Sequence, residues 1–243
     1  MNRIVSSFRP RGVSTLRKFA TAVKFSANGQ ASAVYKLEEI APIGELSASQ
    51  VALKFLAAPI NPADINMAEG TYGIQPKLPA VGGNEGVAVV EKVGAGVKTL
   101  QVGDWVVPAI APFGTWRQEA AAEESALVKV ANDIPAPYAA TLSVNPASAY
   151  RMLRDFVDLS PGDVIMQNGA NSMVGLAVIQ MAREMGIKTV NIVRSDRPDV
   201  PNTLRLLENL GGDINVPDEY VNTAEFNALM ADLPGCKLAL NCV

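Results

Sequence analysis

The chain has 243 residues, of which 49% are hydrophobic, and this length can bury one large core or two modest ones. Its net charge of −3 argues against nucleic acid as the main partner, and its short apolar runs argue against a membrane span. The sequence contains no histidine, which excludes Ser-His-Asp and Cys-His catalysis and any His-ligated metal, so we expect no metal.

The first twenty residues form a basic segment. They hold five of the chain's 21 basic residues and none of its 24 acidic residues. Serines and apolar residues are interleaved with the basic side chains, a composition typical of a mitochondrial transit peptide. We therefore predict that residues 1–20 direct the chain to the mitochondrial matrix; the alternative is a basic tail without a targeting role. The basic residues are Arg3, Arg9, Arg11, Arg17 and Lys18.

Short β-prone runs separated by Gly and Pro fill the chain from about residue 20 to residue 135. Strands are predicted over 51–56, 86–93, 105–108 and 126–130, and strands at this spacing are typical of a barrel or a sandwich. A short helix is predicted over 61–68, with Asn61 as its cap and Pro62 at its first position. We place this β-rich domain at residues 21–144.

The pattern changes after residue 137, where helices alternate with strands. This alternation predicts βαβ units and a parallel sheet with right-handed crossovers, which we place at residues 145–243. The predicted strands cover 164–167, 189–193, 214–216 and 237–243, and the predicted helices cover 147–157, 172–185, 204–210 and 224–233. A full doubly wound domain has about six strands, so we expect a chain that lacks the second half of this domain. The alternative is a small four-stranded domain that is complete.

The two cysteines, Cys236 and Cys242, fall in or beside the last predicted strand. On one strand they would lie roughly 20 Å apart, which is too far for a disulfide. We expect both to be small core residues in a reducing compartment.

Residues 167–175 lie between a predicted strand and a predicted helix, where a phosphate-binding loop belongs. The helix start offers free backbone N–H groups and a positive dipole end, which suit a pyrophosphate. The segment departs from G-x-G-x-x-G, because only Gly169 and Gly175 remain and Met173 occupies a glycine position. Asn171 and Ser172 can supply a helix cap and polar contacts to phosphate. The alternative is an ordinary strand–helix turn capped by Asn or Ser.

The next strand ends in Arg194, Ser195, Asp196 and Arg197. An NAD enzyme would place Asp or Glu about 20 residues beyond the loop to accept a hydrogen bond from the ribose 2′-OH. Two arginines at this position would instead pair with a 2′-phosphate, because guanidinium groups match phosphate oxygens. The sequence therefore favours NADPH, and the alternative is ordinary surface charge on a solvated loop.

Tyr72 lies in a Gly-Thr-Tyr-Gly loop at residues 70–73. Such a loop can present a side chain to a cleft, and a phenol with an ordinary pKa near 10 is protonated at neutral pH. In a chain without histidine, tyrosine is among the few neutral proton donors. The alternative is an aromatic side chain that pins the loop to the barrel.

Several segments together resemble one family, the mitochondrial trans-2-enoyl-thioester reductases of the medium-chain dehydrogenase/reductase superfamily. The zinc alcohol dehydrogenases of that superfamily carry a histidine beside a signature glutamate, whereas this chain has Asn84 beside Glu85, consistent with the zinc-free branch. The resemblance covers the chain from about residue 50. The segments that carry it are 59–67, 70–73, 81–86, 114–117, 143–153, 167–175, 193–199 and 238–243.

The resemblance implies an α/β fold class, with a β-rich GroES-like barrel domain followed by a partial doubly wound (Rossmann) domain. It implies that Tyr72 donates a proton, and that Trp116 forms a wall of the substrate cleft. It implies the following NADPH-binding residues: Asn145, Asn171, Ser172, Met173, Val174, Arg194, Asp196 and Arg197. Relative to the Arg-Asp-Arg run of the family, the chain carries an additional Ser195.

The activity that the resemblance implies is NADPH-dependent reduction of trans-2-enoyl thioesters to saturated acyl thioesters in mitochondrial fatty-acid synthesis. The substrate would be carried by acyl carrier protein or coenzyme A, and the full-length form would be a homodimer. Two alternatives are an NADPH quinone reductase of the same superfamily and a non-catalytic NADPH-binding form.

Overall fold

A computed structural model of the protein describes residues 19–242. The chain divides into two compact units, Met1–Val130 and Ala131–Val243. The division lies on the N-terminal side of the boundary that was predicted between residues 144 and 145. The predicted transit peptide falls outside the described residues except for its last two positions. The last of these, Ala20, opens the first strand.

The first unit holds two antiparallel sheets, a five-stranded sheet in the order β7-β3-β5-β6-β8 and a three-stranded sheet in the order β2-β1-β4. Its elements are β1 (Ala20–Phe25), α1 (Ala31–Val34), β2 (Lys36–Ile40), β3 (Gln50–Ala57), α2 (Pro62–Glu69), β4 (Ala80–Val81), β5 (Val87–Val93), β6 (Trp105–Pro108), β7 (Glu119–Glu123) and β8 (Leu127–Val130). Four strands, β1, β2, β4 and β7, and the short helix α1 were not predicted from the sequence. The predicted bounds of β3, β5, β6, β8 and α2 lie within two residues of the observed bounds.

The segment that precedes β7 joins the two sheets through backbone hydrogen bonds. The N–H of Val23 on β1 donates to the carbonyl of Trp116 at 2.8 Å, and the N–H of Phe55 on β3 donates to the carbonyl of Gln118 at 2.9 Å. The edges of both sheets are therefore partly closed, as expected for a barrel. The core of the larger sheet is built from buried apolar side chains that include Val51, Leu53, Val90 and Val106.

The second unit contains a four-stranded parallel sheet in the order β11-β10-β9-β12, which corresponds to strands 3-2-1-4 of a doubly wound domain. Its elements are α3 (Ala136–Ala140), α4 (Asn145–Asp155), β9 (Val164–Gln167), α5 (Met173–Glu184), β10 (Lys188–Val193), α6 (Val200–Asn209), β11 (Ile214–Pro217), α7 (Ala224–Ala231) and β12 (Cys236–Leu240). One buried cluster joins Leu153, Ile165 and Val178, and another joins Val164 and Phe226. The predicted fold class is confirmed.

The second unit differs from the prediction in several details. The helix α3 was not predicted, and β12 ends at Leu240 rather than at 243. The helix α6 begins at Val200 rather than at 204, because Asp199 adopts φ 68° and Pro201 fits the first helical turn. The expectation that both cysteines are core residues is wrong for Cys236, which is exposed at the start of β12, while Cys242 is half-buried beyond the end of that strand. Among the described residues, no helix is long and apolar enough to span a bilayer.

Candidate functional site

The loop between β9 and α5 has the geometry of a phosphate-binding turn. Ser172 is the N-cap of α5, and its Oγ accepts a hydrogen bond from the N–H of Gly175 at 3.1 Å. A Cβ at position 175 would lie 2.6 Å from the carbonyl oxygen of Ala170, so glycine is needed for the helix to begin this close to the loop. The predicted cap is confirmed, and the free N–H groups of the first turn remain at the helix start.

Asn168, the first residue of this loop, is hydrogen-bonded to the two residues that follow β12. Its Nδ2 donates to Oδ1 of Asn241 at 2.8 Å, and its Oδ1 accepts from the N–H of Cys242 at 2.7 Å. This contact could not be predicted from the sequence, because the partners are more than 70 residues apart in the chain. The loop is therefore held at its start by the neighbouring strand as well as at its end by Ser172.

A cleft of about 490 Å³ lies beside the loop. It is lined by Gly169, Asn171, Ser172, Arg194, Arg197, Pro198, Thr203 and Cys242. The structure thus brings together four of the residues predicted to bind the cofactor, two from the loop and two from the end of β10. Three lining residues were not predicted, because none lies in a motif that indicates a phosphate contact: Pro198, Thr203 and Cys242.

The two arginines in the cleft have different partners. Arg194 forms a two-point ion pair with Asp196, which lowers the pKa of that carboxyl. Arg197 forms no ion pair among residues 19–242, although its charge also contributes, less than Arg194 does, to the lowered pKa of Asp196. Asp196 does not line the cleft and acts as the counter-ion of Arg194.

The additional Ser195 has a definite partner. Its N–H and its Oγ both donate to Oδ1 of Asp218, at 3.0 Å and 2.7 Å, and these hydrogen bonds lower the pKa of Asp218. Asp218 directly follows β11, the strand next to β10. Ser195 therefore anchors the arginine-bearing loop to the residue that follows the adjacent strand.

The other predicted cofactor residues lie outside this cleft lining. Met173 and Val174 form the first turn of α5, where Met173 is exposed and Val174 packs against the core. Asn145 is the first residue of α4. The residues present can hold a pyrophosphate at the start of α5 and a further phosphate at the arginines, because the free N–H groups and the guanidinium groups all favour anions.

Tyr72 follows α2 in the first unit. The helix ends at Gly70, which adopts φ 80°, and the N–H groups of Thr71 and Tyr72 both donate to the carbonyl of Asn66, at 2.9 Å and 3.2 Å. These bonds fix the backbone just beyond the helix, while the side chain of Tyr72 is 38% exposed. The ring is therefore available to a ligand and is not part of the barrel core.

A buried polar cluster holds the start of α2. Nδ2 of Asn84 donates to Oδ1 of Asp64 at 2.7 Å, and Nδ2 of Asn61 donates to Oε2 of Glu85 at 2.9 Å. Burial raises the pKa of Asp64. The amide of Asn84 thus binds a carboxylate at the position beside the signature glutamate. Among the described residues, no group of three His, Cys, Asp or Glu side chains could hold a metal ion.

Trp116 packs on the same signature. Its indole N–H donates to the carbonyl of Pro59 at 2.9 Å, and a Cβ at Gly82 or Gly83 would lie 2.6 Å or 2.4 Å from the indole ring. The two glycines therefore make room for the ring, which also packs on Tyr35 with the centroids 5.1 Å apart. This packing explains the glycine pair, and the place of Trp116 in a substrate cleft stays a prediction.

Comparisons with known proteins identify relatives that match most of the chain. Residues 47–132 match the family model for the alcohol dehydrogenase GroES-like domain. The mitochondrial enoyl-[acyl-carrier-protein] reductase of Rattus norvegicus is 50% identical over 222 residues, which are 91% of this chain and 59% of that protein. The chain therefore spans less than two thirds of the length of this relative.

Two solved structures share the fold at higher coverage. The mitochondrial 2-enoyl thioester reductase Etr1p/Etr2p heterodimer from Candida tropicalis matches with a TM-score of 0.86 and 33% identity, over 93% of this chain and 69% of that one. A structure of the Etr1p/NADP/crotonyl-CoA complex matches with the same TM-score, identity and coverage. With a GroES-like unit, a Rossmann-type parallel sheet and relatives of this identity, the chain belongs to the enoyl thioester reductase family of the medium-chain dehydrogenase/reductase superfamily.

Proposed function

We propose that the protein formed by this chain binds NADPH and reduces trans-2-enoyl thioesters to saturated acyl thioesters. The observation that carries the proposal is that Ser172, at the start of α5, lines the same cleft as Arg194 and Arg197. The chain matches only 59% of the length of the rat relative, so the activity is a proposal for a protein of that relative's length.

The cleft fits the two charged parts of NADPH. Asn171, Ser172 and the free N–H groups of α5 would hold the pyrophosphate, and Arg194 and Arg197 would hold the 2′-phosphate. The bound cofactor supplies the hydride that reduces the β-carbon of the enoyl group. The presence of NADP and crotonyl-CoA in the related Etr1p complex supports this assignment.

Tyr72 is the proposed proton donor. As negative charge develops on the thioester oxygen, a neutral phenol can donate a hydrogen bond there and deliver a proton to the α-carbon. The exposed ring on a backbone fixed by Asn66 supports this role, because a positioned donor loses less freedom in the reaction. Asn145, Met173, Val174 and Asp196 are proposed as further residues near the cofactor, and Trp116 as a wall of the substrate cleft.

We further propose that the protein acts in mitochondria, on substrates carried by acyl carrier protein or coenzyme A, and that it forms a homodimer. The basic, acid-free residues 1–20 and the mitochondrial name of the rat relative support the location. The related Etr1p/Etr2p heterodimer supports association of two such chains.

The test compares two substrates side by side with NADPH. It uses the chain and a chimera in which the remaining sequence of the rat relative is added to it. We expect the chimera to oxidise NADPH with crotonyl-CoA and not with a quinone. Quinone reduction alone would favour the quinone reductase alternative, and NADPH binding without turnover of either substrate would favour a non-catalytic protein.

A further inference from the structure

Three amide side chains form a line across neighbouring strands of the parallel sheet. Gln167 on β9 is in register with Asn191 on β10, which is in register with Asn215 on β11. Nε2 of Gln167 donates to Oδ1 of Asn191 at 2.8 Å, and Nδ2 of Asn191 donates to Oδ1 of Asn215 at 2.9 Å. Gln167 and Asn191 are 1% and 0% exposed, so this amide ladder lies in the interior of the second unit.

The ladder is bonded to backbone carbonyls at both ends. At β11, Nδ2 of Asn215 donates to the carbonyl of Gly212 at 2.9 Å. At β9, Nε2 of Gln167 also donates to the carbonyl of Gly175, in the first turn of α5, at 3.1 Å. The ladder therefore connects the sheet directly to the start of the phosphate-binding helix.

An amide at this position carries a free-energy cost that an apolar side chain would avoid. Buried polar atoms are unfavourable unless they are hydrogen-bonded, and Oε1 of Gln167 accepts no hydrogen bond from any residue that the structure describes. Nε2, by contrast, makes two hydrogen bonds. What the side chain contributes is its donor group.

We propose that Gln167 is a positioning residue for the pyrophosphate loop. The loop begins directly after Gln167 and ends at Ser172, the cap of α5. By bonding Gly175, Gln167 holds the first turn of α5 to the strand that precedes the loop, so the two ends of the loop are fixed to each other. Because the free N–H groups point along the helix axis, the tilt of α5 sets where they meet a phosphate.

This inference rests on the proposed binding of NADPH at the loop. The test measures the affinity of the chain for NADPH, for ADP-ribose, which carries a pyrophosphate, and for 2′-AMP, which carries only the 2′-phosphate. Gln167→Met removes the donor and keeps the size of the side chain. Asn215→Ala is the matched control, because it cuts the same ladder at the end that does not contact α5.

We expect Gln167→Met to weaken binding of NADPH and ADP-ribose about tenfold, the effect of losing the buried hydrogen bond to Gly175, with 2′-AMP affinity unchanged. Asn215→Ala should leave all three affinities unchanged. If Gln167→Met binds ADP-ribose with unchanged affinity, or loses affinity for 2′-AMP to the same extent, the inference is overturned and the proposed function is not. Failure of the unsubstituted chain to bind NADPH would overturn the proposed function together with the inference.

If Gln167→Met does not fold, Gln167→Glu provides the test. A protonated carboxyl group can donate to the carbonyl of Gly175, whereas a carboxylate cannot. Burial raises the pKa of a carboxyl group, so ADP-ribose affinity of this variant should rise as the pH falls from about 8 to about 6. The unsubstituted chain should show no such rise, and the same pH dependence in both chains would overturn the inference.

Discussion

Arg194 and Asp196 form a two-point ion pair in which Nε donates to Oδ1 at 3.0 Å and Nη2 donates to Oδ2 at 2.7 Å. Arg197 lines the same cleft without an ion-pair partner among the described residues. The two arginines therefore differ in what they can offer to a phosphate, because Asp196 occupies the donors of Arg194 directly and acts on Arg197 only through a weaker electrostatic interaction.

This difference leads to a prediction for cofactor choice. Arg197→Ala should weaken NADPH binding about 10- to 100-fold, since a charge-assisted hydrogen bond contributes about 1.5–3 kcal/mol, and Arg194→Ala should weaken it less. NADH affinity should stay the same in both variants, as measured by calorimetric titration. Arg151→Ala, an exposed arginine outside the cleft, is the control. Equal losses for NADPH and NADH would contradict the assignment of the 2′-phosphate site.

A second prediction concerns Gly175. A Cβ there would lie 2.6 Å from the backbone oxygen of Ala170, so Gly175→Ala should lower the free energy of unfolding by about 1–3 kcal/mol despite the higher helix propensity of alanine. Gly235→Ala is the matched control, because a Cβ at that position meets open space. Urea denaturation of both variants measures the difference, and an unchanged midpoint for Gly175→Ala would show that the loop can move aside.

The start of α5 shows what the sequence could predict. The Ser172 cap depends on Gly175, three residues further along the chain, and the strand–loop–helix order depends on the local pattern of apolar residues. Both could therefore be predicted from local sequence. The bond from Asn168 to Asn241 and the contact of Trp116 with Gly82 depend on residues distant in sequence, which no local pattern indicates.

The errors have a similar origin. Apolar residues around Cys236 predicted a buried strand, but β12 lies at the edge of the described sheet and exposes its first residue. The role of Ser195 also depended on Asp218, a partner in the next β-α unit.

A third prediction concerns pH. Lys129 lies 2.8 Å from the buried carboxylate of Asp104 and lowers its pKa. Because the pKa is lower in the folded state than in the unfolded state, this pair stabilises the fold above the unfolded pKa near 3.9, and the stabilisation is lost as the pH falls through the folded pKa.

Lys129→Met should therefore lower the free energy of unfolding by about 1 kcal/mol at neutral pH, the effect expected when one partner is half-exposed. Its difference from the unsubstituted chain should shrink on acidification, as measured by thermal denaturation across the pH range. Lys92→Met, on β5 and without an ion pair among the described residues, is the control. A difference that is constant with pH would assign the effect of Lys129 to packing.

A fourth prediction concerns the proton donor. In the chimera with the rat sequence, Tyr72→Phe keeps the ring and removes the hydroxyl, so kcat with crotonyl-CoA should fall about 10²–10⁴-fold while NADPH affinity stays the same. Tyr138→Phe, at a ring that is 69% exposed and outside both candidate sites, is the control. A kcat close to that of the unsubstituted chimera would make Tyr72 a structural residue of its loop.

The most direct measurement follows the hydrogen atoms themselves. The chimera is incubated with crotonyl-CoA and with NADPH that carries deuterium at the transferable position of the nicotinamide, and the product is analysed by NMR. We predict butyryl-CoA with deuterium at the β-carbon, and with a solvent hydrogen at the α-carbon. Butyryl-CoA without deuterium at the β-carbon, or oxidation of NADPH without reduction of the enoyl group, would contradict the proposed reaction.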